Sequence, residues 1–320
     1  MDYDFSDCTL CPRNCHADRT VAFPASNQEK HYGFCGQSDA ITAARAALHM
    51  WEEPCISGDS GSGTVFFSGC NMGCVFCQNF EIAHGFHGKN ISVQRLSEIF
   101  LELQAKQANN INLVTPTHFV PQIIDALVLA KKNGLHIPIV YNTSSYEAVD
   151  TLRMLDGLID IYLPDFKYYS SVLSSKYSHA ADYFEKASLA VAEMVRQTGE
   201  PIFRSASGDL LAADEYDDKA LLYRGTIVRH LLLPNCLEDG KAVIKYLYET
   251  YKNQIFISIM SQYTPLKHIA EYPELNRKVT SREYEELVDY AISLGVENGF
   301  IQDESTAAES FIPDFNYEGV

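Results

Sequence analysis

Three cysteines, Cys70, Cys74 and Cys77, fall within the short stretch SGCNMGCVFCQN, residues 68–79. They follow TVFFSG, an apolar run that reads as a buried strand, so the thiols sit in the loop leaving that strand. In α/β barrels this is the face on which the chemistry is assembled. Four thiolates close a tetrahedral zinc site or complete a four-iron cluster, whereas three leave one iron of a [4Fe-4S] cube without a protein ligand. That open iron is a place for a substrate or cofactor. The competing readings are a zinc knuckle that borrows His84 or His87 as its fourth ligand, and chance clustering of buried thiols.

Strand and helix patterns alternate after about residue 60. TVFF (64–67), INLVT (111–115), IPIVY (137–141), IDIYL (159–163), TIVRHLL (226–232) and IFISIM (255–260) read as buried strands. Helices are predicted over 92–108, 119–132, 147–155, 180–197 and 239–251, the first with Val93, Leu96, Ile99, Phe100 and Leu103 on one face. A last helix is announced by Thr280 and Glu283 as a capping box and by Gly295 as a stop. Strands each followed by a helix imply parallel neighbours with right-handed crossovers. The expected fold is therefore α/β, a partial (β/α)6 TIM-like barrel, because residues 60–300 fall short of a closed eight-unit barrel. The predicted division is a cysteine-rich metal-binding module over 1–55, the core barrel over 56–300 and a tail over 301–320. The acidic stretch SASGDLLAADEYDDK (205–219) reads as an exposed loop or lid.

Composition narrows the partners. With 320 residues and 46% hydrophobic content the chain can bury a large core. Its 42 acidic against 25 basic residues give a net charge of -17, which repels phosphate backbones and anionic lipid surfaces, so neither nucleic acid nor a membrane is expected as a partner. The start, MDYDFSD, is acidic where a secretory signal is basic, and no apolar run reaches the ~18 residues of a membrane span. A cytoplasmic protein is expected. There the nine cysteines are metal ligands or redox groups rather than disulfides.

Cys8, Cys11, Cys15 and Cys35 form a second group, with GFCG around the last. Glycines beside a thiolate let backbone amides approach the sulfur, as in a zinc knuckle or an iron-sulfur loop. Structural zinc and an auxiliary [4Fe-4S] cluster that relays electrons are both open readings, with His16 and His31 as substitutes for one thiolate. Cys55 and Cys236 have no partners in the sequence and read as ordinary residues.

With an aromatic residue, Phe76, ahead of the third cysteine, the chain resembles the radical S-adenosylmethionine (SAM) superfamily. The segments WEEPCISGDSGSGTVFFSGCNMGCVFCQN, NINLVTPTHF, VYNTSSYE, DIYLPDFKYY, RHLLLPN and MSQYTP, in that order, narrow the likeness to the branch related to pyruvate formate-lyase activating enzymes. The resemblance implies a partial barrel and a [4Fe-4S] cluster on Cys70, Cys74 and Cys77 whose unique iron chelates SAM. It also implies reductive cleavage of SAM to methionine and a 5'-deoxyadenosyl radical, which abstracts hydrogen from the substrate. For activating enzymes that substrate is a backbone glycine of a partner, a glycyl radical enzyme, and the electron comes from a donor such as flavodoxin or ferredoxin. Two alternatives stand beside this: radical SAM chemistry on another peptide or small molecule, and a non-catalytic iron-sulfur electron-transfer protein.

The remaining site residues follow from the strand ends. The family usually carries Gly-Gly-Glu after the second strand to hold the methionine amine; this chain has TPTH, so Thr115 and Thr117 are the candidates, with turn roles equally open. Asn142, Thr143 and Ser144 offer short polar groups for ribose hydroxyls. Asp165 and Lys167 flank Phe166 and so point to one side; a carboxylate suits ribose and an ammonium suits the methionine carboxylate, which matches the family's Asp-x-Lys pattern. An ordinary ion pair is the alternative. Arg229 and His230 alternate within one strand, and the resemblance assigns Arg229 to the barrel interior, leaving His230 as a structural histidine against the helices. Gln262 and Tyr263 reach the same rim, for cofactor binding or for packing.

Overall fold

A strand that is apolar on both faces has to be covered from both sides, and the six apolar runs of the sequence are covered in this way. The computed structural model describes residues 3–20, 33–84, 87–301 and 313–320, without the side chains of residues 267 and 268. Its strands are β1 (Ile41–His49), β2 (Ser62–Phe67), β3 (Lys89–Ile91), β4 (Ile111–Val114), β5 (Ile139–Thr143), β6 (Ile161–Pro164), β7 (Ile202–Arg204), β8 (Leu210–Ala212), β9 (Leu221–Leu231), β10 (Phe256–Met260) and β11 (Gly299–Ile301). Every residue of β2, β4, β5 and β6 is buried.

The strands β2, β4, β5, β6, β9, β10 and β11 run parallel in that spatial order. On the other side of β2 the sheet continues antiparallel through β1 to β3, so β11 and β3 form its two ends. The sheet is open, as a partial barrel is. All six predicted strands are in the parallel run; β11 extends it beyond them. The acidic stretch is partly regular, which corrects the loop expectation: β8 pairs with β7, and β7 pairs with β9, because Phe203 is fully buried and stacks 4.1 Å from Tyr216.

Helices cover the sheet where the apolar periodicity placed them. Val93–Ala105 begins at Ser92, whose side chain accepts from the Arg95 amide, and buries Leu96, Ile99, Phe100 and Leu103. Ser281–Leu294 begins at the Thr280–Glu283 capping box and stops at Gly295 in the left-handed region. The C-terminal residues lie along β1: the Ala46 amide donates to the Glu318 carbonyl at 2.8 Å. No helix among the described residues is long and apolar enough to cross a membrane.

Candidate active site

The loop after β2 turns twice through left-handed glycines, Gly69 (φ 84°) and Gly73 (φ 74°), and so curls Cys70, Cys74 and Cys77 toward one point above the strand ends. All three thiols line a cavity of about 640 Å³. Burial raises each of them, Cys70 to about 11, and the neighbouring thiols add to the effect at Cys70 and Cys77. Three thiols that repel one another's ionisation share one site, and a bound cationic centre removes that penalty. Among the described residues no three His, Cys, Asp or Glu side chains gather as a single metal ion requires. Each thiolate of an iron-sulfur cube takes a different iron, so this loop fits a cluster better than one ion.

The same cavity is lined by Phe76, Thr115, Asn142, Ser144, Asp165, Lys167, Arg229 and Gln262. Thr115 sits there in the left-handed region (φ 57°), an unfavourable conformation for a β-branched residue. Phe76 is wedged between Tyr168 and Tyr263, each 6.4 Å away between ring centroids. Gln262 is tied to the cysteine loop through its carbonyl, which accepts from Gln78 at 3.0 Å. Tyr263 donates instead to the Leu275 carbonyl at 2.7 Å and packs in the core.

Thr117 is placed elsewhere. It opens the turn Thr117–Phe119, which rotates its hydroxyl onto the carboxylate of Glu147 at 2.6 Å, and it is not among the cavity residues. Glu147 also accepts from Thr143 and Tyr141; burial outweighs these bonds and raises it to about 7.

Arg229 organises the charges of the cavity. It donates from Nε to Asp165 (2.8 Å), from Nη1 to Glu52 (2.9 Å) and from Nη2 to Asn142 (2.7 Å), with Glu53 at 3.9 Å. Lys167 Nζ donates to the other oxygen of Asp165 at 2.7 Å. Burial opposes the charges of Asp165, Lys167 and Arg229, yet Arg229 and Lys167 hold Asp165 below the ordinary carboxylate range, and Asp165 in return holds both cations above theirs. Glu53 is raised, because burial outweighs the nearby guanidinium. As alternation predicts, His230 faces the helices: its Nδ1 donates to the Phe166 carbonyl at 2.8 Å, and burial lowers it to about 4.

Sequence reasoning passed over Glu52 and Glu53, although the acidic pair before Pro54 is the signal that marks them. It also passed over His118, which donates to the Ser68 carbonyl at 2.7 Å and so braces the start of the cysteine loop. His16 pairs with Asp7 at 2.6 Å, His87 reaches the Tyr317 hydroxyl at 3.2 Å, and His31 lies outside the described residues. Cys55 is buried in the cluster that holds Phe203, Leu163 and Val140, and Cys236 precedes the helix Leu237–Tyr251 without a side-chain capping bond.

The molecule is thus an open parallel α/β sheet, a partial barrel, with a three-thiol loop after its first parallel strand and charged groups on later strand ends lining the same cavity. Residues 64–199 match the family model described as the radical SAM superfamily. That family implies a [4Fe-4S] cluster and SAM. The chain is 27% identical over 297 residues to the uncharacterized protein MJ0674 of Methanocaldococcus jannaschii, covering 90% of this chain and 75% of that protein. Among solved structures it is similar to Streptococcus suis SuiB bound to the precursor peptide SuiA (TM-score 0.47, 12% identity, 73% of this chain). It is also similar to HydG, a maturase of the [FeFe]-hydrogenase (TM-score 0.48, 14% identity, 76% of this chain). The alignments span 46% of the SuiB chain and 52% of the HydG chain. A domain of pyruvate-formate lyase-activating enzyme from Bacteroides vulgatus matches over 57% of this chain and 91% of that one, with 12% identity and a TM-score of 0.35.

Proposed function

We propose that the protein is a radical SAM enzyme that binds a [4Fe-4S] cluster on Cys70, Cys74 and Cys77 with SAM beside it, and that its substrate is a backbone glycine of a partner protein. One observation carries the reading: the three thiols and the charged set Asp165, Lys167 and Arg229 line a single cavity. A simple electron carrier has no use for that set. At about 640 Å³ the cavity lies in the ordinary range for small-ligand sites. When bound, cluster and SAM supply one-electron cleavage of a carbon-sulfur bond, giving methionine and a 5'-deoxyadenosyl radical that takes hydrogen from the substrate.

The chain's own residues bind and orient. Lys167 offers its ammonium to the methionine carboxylate, and Asp165, Asn142 and Ser144 offer polar atoms to the ribose. Arg229 is a positioning residue, since it fixes Asp165 and Asn142 at once. In this reading the protein works in the cytoplasm, and the electron comes from a low-potential flavodoxin or ferredoxin.

Isotope transfer tests the substrate. Anaerobic incubation with SAM, a reductant and a glycyl radical enzyme deuterated at glycine is expected to move deuterium into 5'-deoxyadenosine. Unlabelled 5'-deoxyadenosine would contradict the glycine assignment and leave another peptide or small molecule as substrate. No 5'-deoxyadenosine from protein with an intact cluster would favour the electron carrier.

A further inference from the structure

The segments that carry the N-terminal cysteines fold back against one another. Left-handed Asn14 (φ 42°) and His16 (φ 51°) curl the chain between Cys11 and a bridge pairing Cys8 with Ala17. A Cβ on Gly33 would lie 2.6 Å from Cys15 Sγ, so the strand of chain leading to Cys35 runs against that sulfur. Like the three thiols of the loop, the four are not gathered as one ion requires.

A second observation points to an anion there. Arg19 is fully buried, yet it donates to two neutral carbonyls, Gln37 (3.0 Å) and Ser38 (2.7 Å), with Cys8 Sγ 3.6 Å from its Nη1. Among the described residues no carboxylate forms an ion pair with it. A buried guanidinium beside Cys8 favours negative charge on that sulfur, and a four-thiolate centre is an anion of that kind.

The two cysteine groups touch. Arg13, between Cys11 and Cys15, donates to the carbonyls of Asn71 (2.7 Å) and Met72 (3.0 Å) inside the other loop. A Cβ on Gly69 would stand 2.7 Å from the Cys35 carbonyl oxygen, and one on Gly73 would stand 2.9 Å from Phe34 Cζ. Cys15 is exposed.

We propose that Cys8, Cys11, Cys15 and Cys35 hold a second [4Fe-4S] cluster and that the electron for SAM cleavage enters through it. This rests on the radical SAM reading for its role, not for its existence. A ferredoxin or flavodoxin loses one electron, the N-terminal cluster takes it up and passes it on to the cluster on Cys70, Cys74 and Cys77, and no proton or bond changes in the transfer.

Anaerobically reconstituted wild-type protein is expected to hold about eight irons per chain and no stoichiometric zinc. The triple variant Cys70→Ala/Cys74→Ala/Cys77→Ala is expected to keep about four of these irons and a reduced-cluster resonance that SAM does not alter. A triple variant without iron, or a wild type with about four irons, with or without one zinc per chain, would overturn the second cluster. The relay is read separately. In Cys8→Ser/Cys11→Ser, reduction of the remaining cluster by reduced ferredoxin should slow at least about tenfold while reduction by dithionite is unchanged, and an unchanged ferredoxin rate would overturn it. Failure of the radical SAM reading has its own signature: full iron in the wild type with no response to SAM.

Discussion

Cys74→Ala abolishes formation of 5'-deoxyadenosine while the sheet keeps its fold. Cys74 is buried and its sulfur accepts from Ser178 Oγ at 3.0 Å, a hydroxyl already paired with Tyr168 at 2.7 Å. The truncation leaves one buried hydroxyl proton of the Ser178–Tyr168 pair without its acceptor and is expected to cost about 1–3 kcal/mol in stability. Activity responds on another scale, because two thiolates cannot hold a cube in the geometry that presents one open iron. Chromatography of the nucleoside product together with a urea unfolding curve separates the two effects. Retained cleavage in Cys74→Ala would remove the loop from the chemistry.

The second large effect is on stability. Arg229→Met leaves Asp165, Glu52 and Glu53 buried without the guanidinium they share, with only Lys167 near, and is expected to destabilise the protein by about 3–5 kcal/mol. The sign of its pH dependence is fixed. Wild-type Asp165 is held below the ordinary carboxylate range, so its contribution is present above the unfolded value of about 4 and is lost only as pH falls through the lower folded value. Without Arg229 the carboxylates rise by burial, and the folded variant binds more protons than the unfolded chain. The gap between variant and wild type should then narrow as pH falls from 7 toward 5, and Glu52→Gln should restore part of the loss at pH 7. A loss under about 1 kcal/mol, independent of pH, would show that the cluster of charges is solvated rather than buried.

Much of the barrel was legible because buried parallel strands spell continuous apolar runs, and IPIVY or IDIYL can be read no other way once helices flank them. β1 was not legible: Ile41–His49 carries alanine at four of nine positions, a helical composition that becomes a strand only because β2, β3 and the C-terminal residues bond to it. β7, β8 and β11 are three residues each, too short for a period to register. In the site, Asp165 and Lys167 followed from alternation, whereas their meeting with Arg229 comes from the pairing of β6 with β9, which the sequence analysis did not predict. Thr117 did not behave as expected, since a single turn decides which of Thr115 and Thr117 faces the cavity, and Glu147 draws the latter away. Glu52 escaped because its partner Arg229 lies 177 residues further on, a contact that no local pattern encodes.

Electron paramagnetic resonance of the anaerobically reduced protein, recorded with and without SAM, tests most directly the claim that the incomplete thiol set leaves an open metal site in the cavity. The expected result is a shift in the g-values of a reduced [4Fe-4S] signal when SAM is added, absent from the variant lacking Cys70, Cys74 and Cys77. A signal that stays the same in wild-type protein at saturating SAM would contradict it.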